Sequence, residues 1–190
     1  MVDPILIIVL IIFVWCLLGL SWFAGSDAPY IPTKMDQIRK LLIMAGVKKG
    51  KTFYELGSGD GRVVYAAAKL GALSNGIEQS WLRVWYSRYK AKKLNLVNAF
   101  FFHGNIFDRH YYPANIVYIY LLPQGIKKLE SKLRKELKKG SIVITQTYHF
   151  PNWKPYKKII PKNPIKTLAS GKEYLKETFW LYKQSFEQKD

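Results

Sequence analysis

The stretch that decides the fold is Phe53–Val64, which reads FYELGSGDGRVV and leads into the small-residue run YAAAK. Three of its residues, Gly57, Gly59 and Gly61, fall within five positions. A loop that leaves a parallel strand and opens a helix brings its backbone N–H groups close to a ligand only where side chains are absent. In a doubly wound sheet such ligands lie beyond the carboxyl ends of the strands. The stretch therefore predicts a strand, a ligand-binding loop and a helix.

The residues around the glycines indicate which ligand the loop binds. A P-loop would end in Gly-Lys-Ser/Thr, and the dinucleotide fingerprint places its third glycine one residue later. Glu55 lies just before the first glycine, where its carboxylate would repel a pyrophosphate and suit an ammonium group. Glu78 follows the next predicted strand, about 20 residues past the loop, where an acid accepts hydrogen bonds from ribose hydroxyls. An ammonium and a ribose together describe S-adenosylmethionine, and a glycine turn without a ligand is the alternative.

The segments on either side of the loop alternate between strand and helix. We predict helices over residues 34–47, 61–71, 80–96 and 123–140, and strands over residues 51–56, 72–78, 98–105, 115–122 and 141–148. Two more strands, 156–161 and 175–183, follow without an intervening helix. Alternation is typical of an α/β, Rossmann-like parallel sheet with helices on both faces. The last two strands predict an antiparallel hairpin that closes one edge of that sheet.

The helix predicted over residues 80–96 carries two further signals. Ser80 is a candidate N-cap, because a serine oxygen there accepts a hydrogen bond from a backbone N–H of the first turn. Trp81, Trp85 and Tyr89 recur every four residues, so they share one stripe of an amphipathic helix. We therefore expect an amphipathic helix that begins at residue 81.

The N-terminal segment has no charged residue from Pro4 through Ser26. A helix rises about 1.5 Å per residue, so about 20 apolar residues cross a bilayer core about 30 Å thick. A signal peptide would begin with basic residues, and a core helix would have a polar face. We predict a transmembrane anchor over residues 1–26, with Trp22 at the membrane interface, and a single domain over residues 27–190.

The charges that flank this segment predict its orientation. Lys and Arg are absent before it and frequent after it, at Lys34, Arg39, Lys40, Lys48, Lys49 and Lys51. The positive-inside rule then places the domain in the cytoplasm. The single cysteine, Cys16, lies in the segment, which excludes a disulfide framework and a thiolate metal site.

The chain is strongly basic, with 30 Lys and Arg against 13 Asp and Glu and a formal net charge of +17. Nucleic acids and anionic lipid headgroups both attract such a surface. An anchor would already hold the chain at a membrane, which favours lipid over RNA. The histidines, His103, His110 and His149, lack the spacing of metal ligands, so no metal is implied.

Several of these motifs resemble one enzyme family. ELGSGDGR followed by GIE resembles motif I and the ribose-binding acid of class I S-adenosylmethionine-dependent methyltransferases. YIPT, YLLPQGIKKLESKLRKEL and HFPNWKP are similar to a membrane-anchored branch. That branch includes the lysine methyltransferases of the ATP synthase c-ring protein and of the adenine nucleotide translocase, with prokaryotic relatives. The resemblance implies a seven-stranded class I sheet, S-adenosylmethionine as cofactor and a protein-lysine acceptor.

The resemblance also assigns residues to the site. It implies that the methionine end of the cofactor is lined by Glu55, Gly57, Ser58, Gly59, Asp60 and Gly61. It implies that Glu78 holds the ribose, and that Asn105 and Ile106 lie beside the adenine. Asn105 replaces the acid that the family usually has, and a role as a loop cap is its alternative.

On the substrate side, the resemblance points to Tyr120 and Pro123 in YLLPQ, where many base-modifying enzymes have Asp/Asn-Pro-Pro-aromatic. The alternatives are a core role for Tyr120 and a helix start at Pro123. Tyr30 and Thr33 are candidates for a lid over the cofactor. No catalytic acid or base is expected, because alignment of an activated methyl group with a neutral amine is sufficient.

The expected function is N-methylation of a lysine in a membrane-associated protein by a membrane-anchored enzyme. Two other functions stay open at the level of the sequence. The first is methylation of RNA, of a lipid or of a small molecule. The second is a non-catalytic adaptor that binds S-adenosylmethionine without turnover.

Overall fold

The structure is a computed structural model that describes residues 3–23, 35–161, 166–168 and 174–185. Its helices are α1 (Pro4–Phe23), α2 (Met35–Met44), α3 (Arg62–Lys69), α4 (Trp81–Lys93) and α5 (Pro123–Glu136). Its strands are β1 (Thr52–Leu56), β2 (Leu73–Glu78), β3 (Ala99–His103), β4 (Ile116–Ile119), β5 (Ile142–Gln146), β6 (Lys157–Ile159), β7 (Lys166–Leu168), β8 (Tyr174–Lys176) and β9 (Phe179–Lys183).

One seven-stranded sheet organises the domain, in the order β3-β2-β1-β4-β5-β9-β6. Strands β1 to β5 are parallel, while β9 pairs antiparallel with both β5 and β6. The predicted parallel sheet and its antiparallel C-terminal pair are therefore confirmed. A separate antiparallel pair, β7 and β8, lies between β6 and β9 in the chain and was not predicted.

The core lies on both faces of the sheet. Side chains of α2 and α3, such as Leu42 and Ala67, pack with Phe53 on one face. Side chains of α5, such as Leu129, pack with Val117 on the other. Strands buried on both faces read as continuous apolar runs, which is why IVYI of β4 has no polar alternation.

The aromatic stripe of α4 faces outward and does not contribute to the core. The buried positions of this helix are Arg83, Val84, Ser87 and Ala91, whereas Trp81, Trp85 and Tyr89 are exposed. The inner face is small because α4 approaches the glycine loop closely: the Ser87 hydroxyl lies 3.4 Å from the Gly59 carbonyl oxygen. Ser80 stands at the N-cap as predicted, but its side chain makes no capping hydrogen bond.

Helix α1 covers Pro4–Phe23, and its described apolar side chains from Ile5 to Leu17 are exposed. It contacts α4. Among the residues that the structure describes, no helix is both long enough and apolar enough to cross a membrane. The transmembrane anchor and the boundary at residue 26 remain predictions.

Candidate functional site

The predicted site residues gather at the carboxyl ends of the parallel strands. In the sheet register, Leu56 at the end of β1 is level with Ile77 of β2 and Ile119 of β4. The loop that follows β1 has a positive φ at each of its glycines, +83° at Gly57, +53° at Gly59 and +78° at Gly61. Side chains rarely adopt this conformation, which explains the glycines.

The backbone amides of this loop are bonded within the protein. The N–H groups of Gly57 and Ser58 both donate to the Ile77 carbonyl oxygen at 2.9 Å. The Gly59 N–H donates to Glu78 Oε2 at 2.9 Å, and the Gly61 N–H donates to the Ser58 carbonyl oxygen at 2.8 Å. The expectation that bare amides face the ligand is therefore wrong for these four residues. A phosphate site would offer free amides, so this loop differs from one.

Close packing requires glycine at two positions around the loop. A Cβ atom at Gly61 would lie 2.6 Å from the Phe101 ring, so this glycine lets α3 approach β3. A Cβ atom at Gly76 in β2 would lie 2.7 Å from the Ser58 hydroxyl oxygen. The Ser58 side chain is thus directed at β2, and only its backbone is available to line a site.

Glu55 is a buried acid with little local compensation. The residue is only 6% exposed, and its Oε2 accepts a hydrogen bond from the Val64 N–H at 3.2 Å. Among the described residues, no Lys or Arg nitrogen lies within 4 Å of it. Burial raises the pKa of the Glu55 carboxyl well above its ordinary value, and the Asp60 and Glu78 carboxylates raise it further.

The other two acids beside the loop have cationic partners. Asp60 pairs with Arg62, with Oδ2 at 2.7 Å from Nη2. Glu78 is 5% exposed; its Oε1 accepts a hydrogen bond from the Ser80 N–H at 2.9 Å and lies 3.5 Å from Arg83 Nη1. Each carboxylate oxygen has two lone pairs, so Glu78 retains acceptor capacity for hydroxyl groups.

Together the three acids make the region around the loop favourable for a positively charged ligand. Glu55 is buried beside the Asp60 and Glu78 carboxylates without an ion pair of its own, and a bound cation would supply one. A carboxylate cluster of this kind repels phosphate and attracts an ammonium or a sulfonium group. The donor set therefore fits S-adenosylmethionine.

The predicted adenine-side residues follow β3 directly. The Gly104 N–H donates to the Glu78 carbonyl oxygen at 3.0 Å, which places this turn beside the end of β2. Asn105 is exposed, and its Oδ1 accepts a hydrogen bond from the Phe107 N–H at 3.0 Å. This is the loop-capping role considered for Asn105. Ile106 is half-buried and packs against the core on the α5 face.

The substrate-side candidates lie one strand further along. Tyr120 follows β4 directly, is half-buried and packs against the core on the α2 and α3 face. Pro123 is exposed and is the first residue of α5, as its alternative proposed. Tyr30 and Thr33 lie outside the described residues.

The structure reveals a polar cluster at the end of β5 that the sequence analysis missed. The buried Gln146 accepts a hydrogen bond from the Tyr118 hydroxyl and donates one to Glu177 Oε1 at 2.8 Å. Thr147, the next residue, has a φ of +68°, which is rare for a β-branched residue. Its signal in the sequence was Gln146, a polar residue at the end of an apolar strand.

The histidines have local contacts. The His103 ring stacks on Trp81 at 4.1 Å between centroids, and His149 Nδ1 lies 2.9 Å from the Phe150 carbonyl oxygen. His110 is exposed and lies 3.5 Å from Glu136. Within the described ranges, no group of three or more His, Cys, Asp or Glu residues could hold a metal ion.

Comparison with known proteins identifies the family to which this site belongs. Residues 55–157 match the ANTKMT methyltransferase domain, over more than half of the chain. The chain belongs to the ANTKMT methyltransferase family. The matched region contains Glu55, the glycine loop, Glu78, Asn105 and α5, so every described candidate residue lies in the family domain.

Two relatives in this family carry lysine methyltransferase names. The human lysine N-methyltransferase of the ATP synthase c-ring protein is 35% identical over 128 residues, which cover 67% of this chain and 54% of the relative. The chain thus matches about half of the length of that protein. A protein-lysine N-methyltransferase from Saccharolobus islandicus is 32% identical over 130 residues, which cover 67% of this chain and 81% of the relative.

A solved structure shares the fold over nearly its whole length. An RNA methyltransferase from Salinibacter ruber, in complex with S-adenosyl-L-homocysteine, is 28% identical with a TM-score of 0.70. The alignment covers 84% of this chain and 97% of that one. The seven-stranded sheet of the ANTKMT family member described here is therefore a class I methyltransferase sheet.

Proposed function

We propose that this protein is an S-adenosylmethionine-dependent protein-lysine N-methyltransferase. The observation that carries the proposal is its 32% identity to the Saccharolobus islandicus enzyme, because the match covers 81% of that relative. The acidic surroundings of the glycine loop support the same donor, since S-adenosylmethionine carries an ammonium and a sulfonium.

The proposal assigns the loop and the acids to the cofactor. Glu55 binds the ammonium of the methionine moiety, and Glu78 accepts hydrogen bonds from the ribose hydroxyls. Asn105 and Ile106 border the adenine. The loop, Gly57, Ser58, Gly59, Asp60 and Gly61, shapes the wall between these two ends.

When bound, S-adenosylmethionine supplies a methyl group on an activated leaving group, so the protein mainly aligns the acceptor amine. A lysine must be neutral to accept it, and apolar surroundings disfavour its ammonium form. Tyr120 and Pro123 border the acceptor in this proposal, with Leu121 and Leu122 between them in the chain. These apolar and aromatic residues exclude water from the amine.

We also propose that α1 holds the domain at the cytoplasmic side of a membrane, where it methylates a membrane-associated protein. The helix is 20 residues long, and the sequence has no charge from Pro4 through Ser26. A tethered domain meets acceptors at the membrane surface at high effective concentration. The human relative is named for a component of ATP synthase, its c-ring protein, as the substrate.

One observation favours a second function, methylation of RNA. The Salinibacter ruber neighbour, at 28% identity, is an RNA methyltransferase. The net charge of +17 would also attract a polyanion.

The experiment that tests the proposal uses the purified full chain with radiolabelled S-adenosylmethionine. It is incubated with membrane and soluble fractions of cell lysate, with and without nuclease, and the products are identified by mass spectrometry. We expect methyl-lysine in a membrane protein, insensitive to nuclease. Label in RNA alone would favour the second function, and cofactor binding without any product would indicate an adaptor.

The matched variants are Gly59→Arg and Gly140→Ala. Gly59→Arg places a long side chain in the loop and is expected to abolish labelling. Gly140 also has a positive φ, +86°, but lies after α5 with nothing within 4 Å of an added Cβ. Its alanine variant should label normally, which separates a site effect from general strain.

A further inference from the structure

The outer face of α4 is unusual for a helix on a soluble surface. Trp81, Trp85 and Tyr89 are 63%, 65% and 57% exposed although α1 contacts this helix. Four-residue spacing puts the three rings on one side, where Trp85 and Tyr89 stack with centroids 6.2 Å apart. We call these three residues the aromatic face.

Basic residues continue the aromatic face towards the end of the helix. Arg88 and Lys92 lie three or four residues beyond the exposed rings, on the same side. The Arg88 guanidinium donates from Nε and Nη2 to the Phe101 carbonyl oxygen at 2.9 and 2.8 Å, so it is held at the edge of β3. The sequence of α4 has no acidic residue to offset these charges.

A shallow groove of about 510 Å³ adjoins this face, between the second half of α4 and the edge strand β3. Its walls are mostly apolar, with Leu96, Val97 and Phe100 exposed to different extents, and Arg88 and Lys92 contribute to its rim. Val97 is 89% exposed. The groove thus combines apolar walls with cationic edges.

We propose that the aromatic face and the groove form a surface that lies in the headgroup region of an anionic membrane. Trp and Tyr rings prefer this region of a bilayer, and Lys and Arg side chains bind anionic headgroups there. The contact between α1 and α4 makes the surface continuous with the exposed apolar side chains of α1. This inference goes beyond tethering, because it specifies which side of the domain rests on the bilayer.

Helix α5 shows that charge alone does not create such a surface. It carries Lys127, Lys128, Lys132, Arg134 and Lys135, but its Ile and Leu side chains are all buried. It therefore provides a matched control on the same molecule: a basic helix without an exposed aromatic face.

The test places a nitroxide label at Val97→Cys in the full chain, with Cys16→Ser to remove the native thiol. Ser131→Cys, at an exposed position of α5, is the control label. Both proteins are reconstituted into vesicles of phosphatidylcholine with or without phosphatidylglycerol. Paramagnetic resonance then measures the accessibility of each label to oxygen and to a water-soluble nickel chelate, and flotation measures vesicle binding.

With phosphatidylglycerol, we expect nickel accessibility at position 97 to fall several-fold while that at position 131 stays unchanged. Replacing Trp81 and Trp85 together by serine should restore nickel accessibility at 97 without loss of vesicle binding or of thermal stability. Equal nickel accessibility at the two positions, or protection by single-stranded RNA but not by vesicles, would overturn the proposal. The readout needs no methyl transfer, so it stands or fails separately from the proposed enzymatic activity.

Discussion

At the scale of the residue, Glu55 is the side chain whose environment is most at odds with its charge. It is buried, its carboxylate faces two other acids, and the Val64 N–H donates to it at the long distance of 3.2 Å. A buried acid of this kind lowers the free energy of unfolding when it is ionised, and a bound cation offsets that loss. The residue therefore trades stability for ligand affinity.

We predict that Glu55→Gln weakens S-adenosylmethionine binding and stabilises the protein in the absence of cofactor. A charge-assisted hydrogen bond contributes about 1.5–3 kcal/mol, so Kd should rise roughly 10- to 150-fold. Isothermal calorimetry measures the affinity and thermal melting at neutral pH measures the stability. Asp108→Asn, at an exposed position, is the control and should change neither.

The pH dependence follows from the direction of the Glu55 pKa shift. The folded-state pKa lies above the unfolded one, so the folded protein holds this proton more tightly. Its contribution to stability is present at acidic pH and is lost as pH rises through the folded pKa. Cofactor affinity should change in the opposite sense and increase with pH. An affinity that is independent of pH in the wild type would contradict this role for Glu55.

At the scale of the element, the packing of α3 on β3 depends on the absence of a side chain at Gly61. An added Cβ would meet both the Phe101 ring, at 2.6 Å, and the Tyr65 ring, at 2.9 Å. Both rings belong to the cluster that joins α3 and α4 to β3. The third glycine of the loop thus serves helix–strand packing first.

We predict that Gly61→Ala lowers the free energy of unfolding by more than Gly46→Ala does. Both positions have positive φ, +78° and +83°, but nothing lies within 4 Å of a Cβ at Gly46. The control should cost about 1–2 kcal/mol for the left-handed backbone. Gly61→Ala should cost about 1–3 kcal/mol more for overpacking. Urea unfolding in detergent measures both, and equal losses would refute the packing argument.

The elements were predictable from sequence because local signals and the sheet agree. Alternation of strand and helix, with glycines after β1, predicted the parallel sheet and the place of the candidate site. The outward direction of the α4 stripe was not predictable, because periodicity shows which residues share a face but not which face packs. Ser87 and Ala91 decide it, through their close approach to the loop and to β3.

Two properties of the candidate site also required three-dimensional information. The loop amides bond to Ile77 and Glu78 of β2, a partnership that depends on how two strands are aligned. Gln146 and Glu177 are 31 residues apart in the chain and meet only because β9 inserts beside β5. Long-range pairing of this kind leaves no local pattern in the sequence.

At the scale of the whole molecule, the proposed anchoring concerns the contrast between α1 and the rest of the chain. The described side chains of α1 are apolar and exposed, whereas the remaining exposed surface is rich in Lys and Arg. Such a division matches a molecule that contacts hydrocarbon at one end and anionic headgroups or water elsewhere.

We predict that Ile8→Lys with Ile12→Lys releases the protein from membranes. A lysine at the centre of a spanning helix costs about 2.5–3.5 kcal/mol, so two should prevent stable insertion. Alkaline extraction of membranes from expressing cells measures the partition. The control, Ile8→Leu with Ile12→Leu, should stay in the membrane pellet. A double-lysine variant that also stays there would show that α1 is not the anchor.

The geometry of α4 links its two faces mechanically. The helix is 13 residues long; one side presents the aromatic face and the other presents Ser87, 3.4 Å from the Gly59 carbonyl oxygen. The Tyr65 hydroxyl also donates to the Ser87 carbonyl oxygen at 3.0 Å, which fastens α4 to α3. A tilt or translation imposed on α4 from outside must therefore change the spacing between Ser87 and Gly59. The helix acts as a lever whose outer arm is open to external force and whose inner arm ends at the glycine turn.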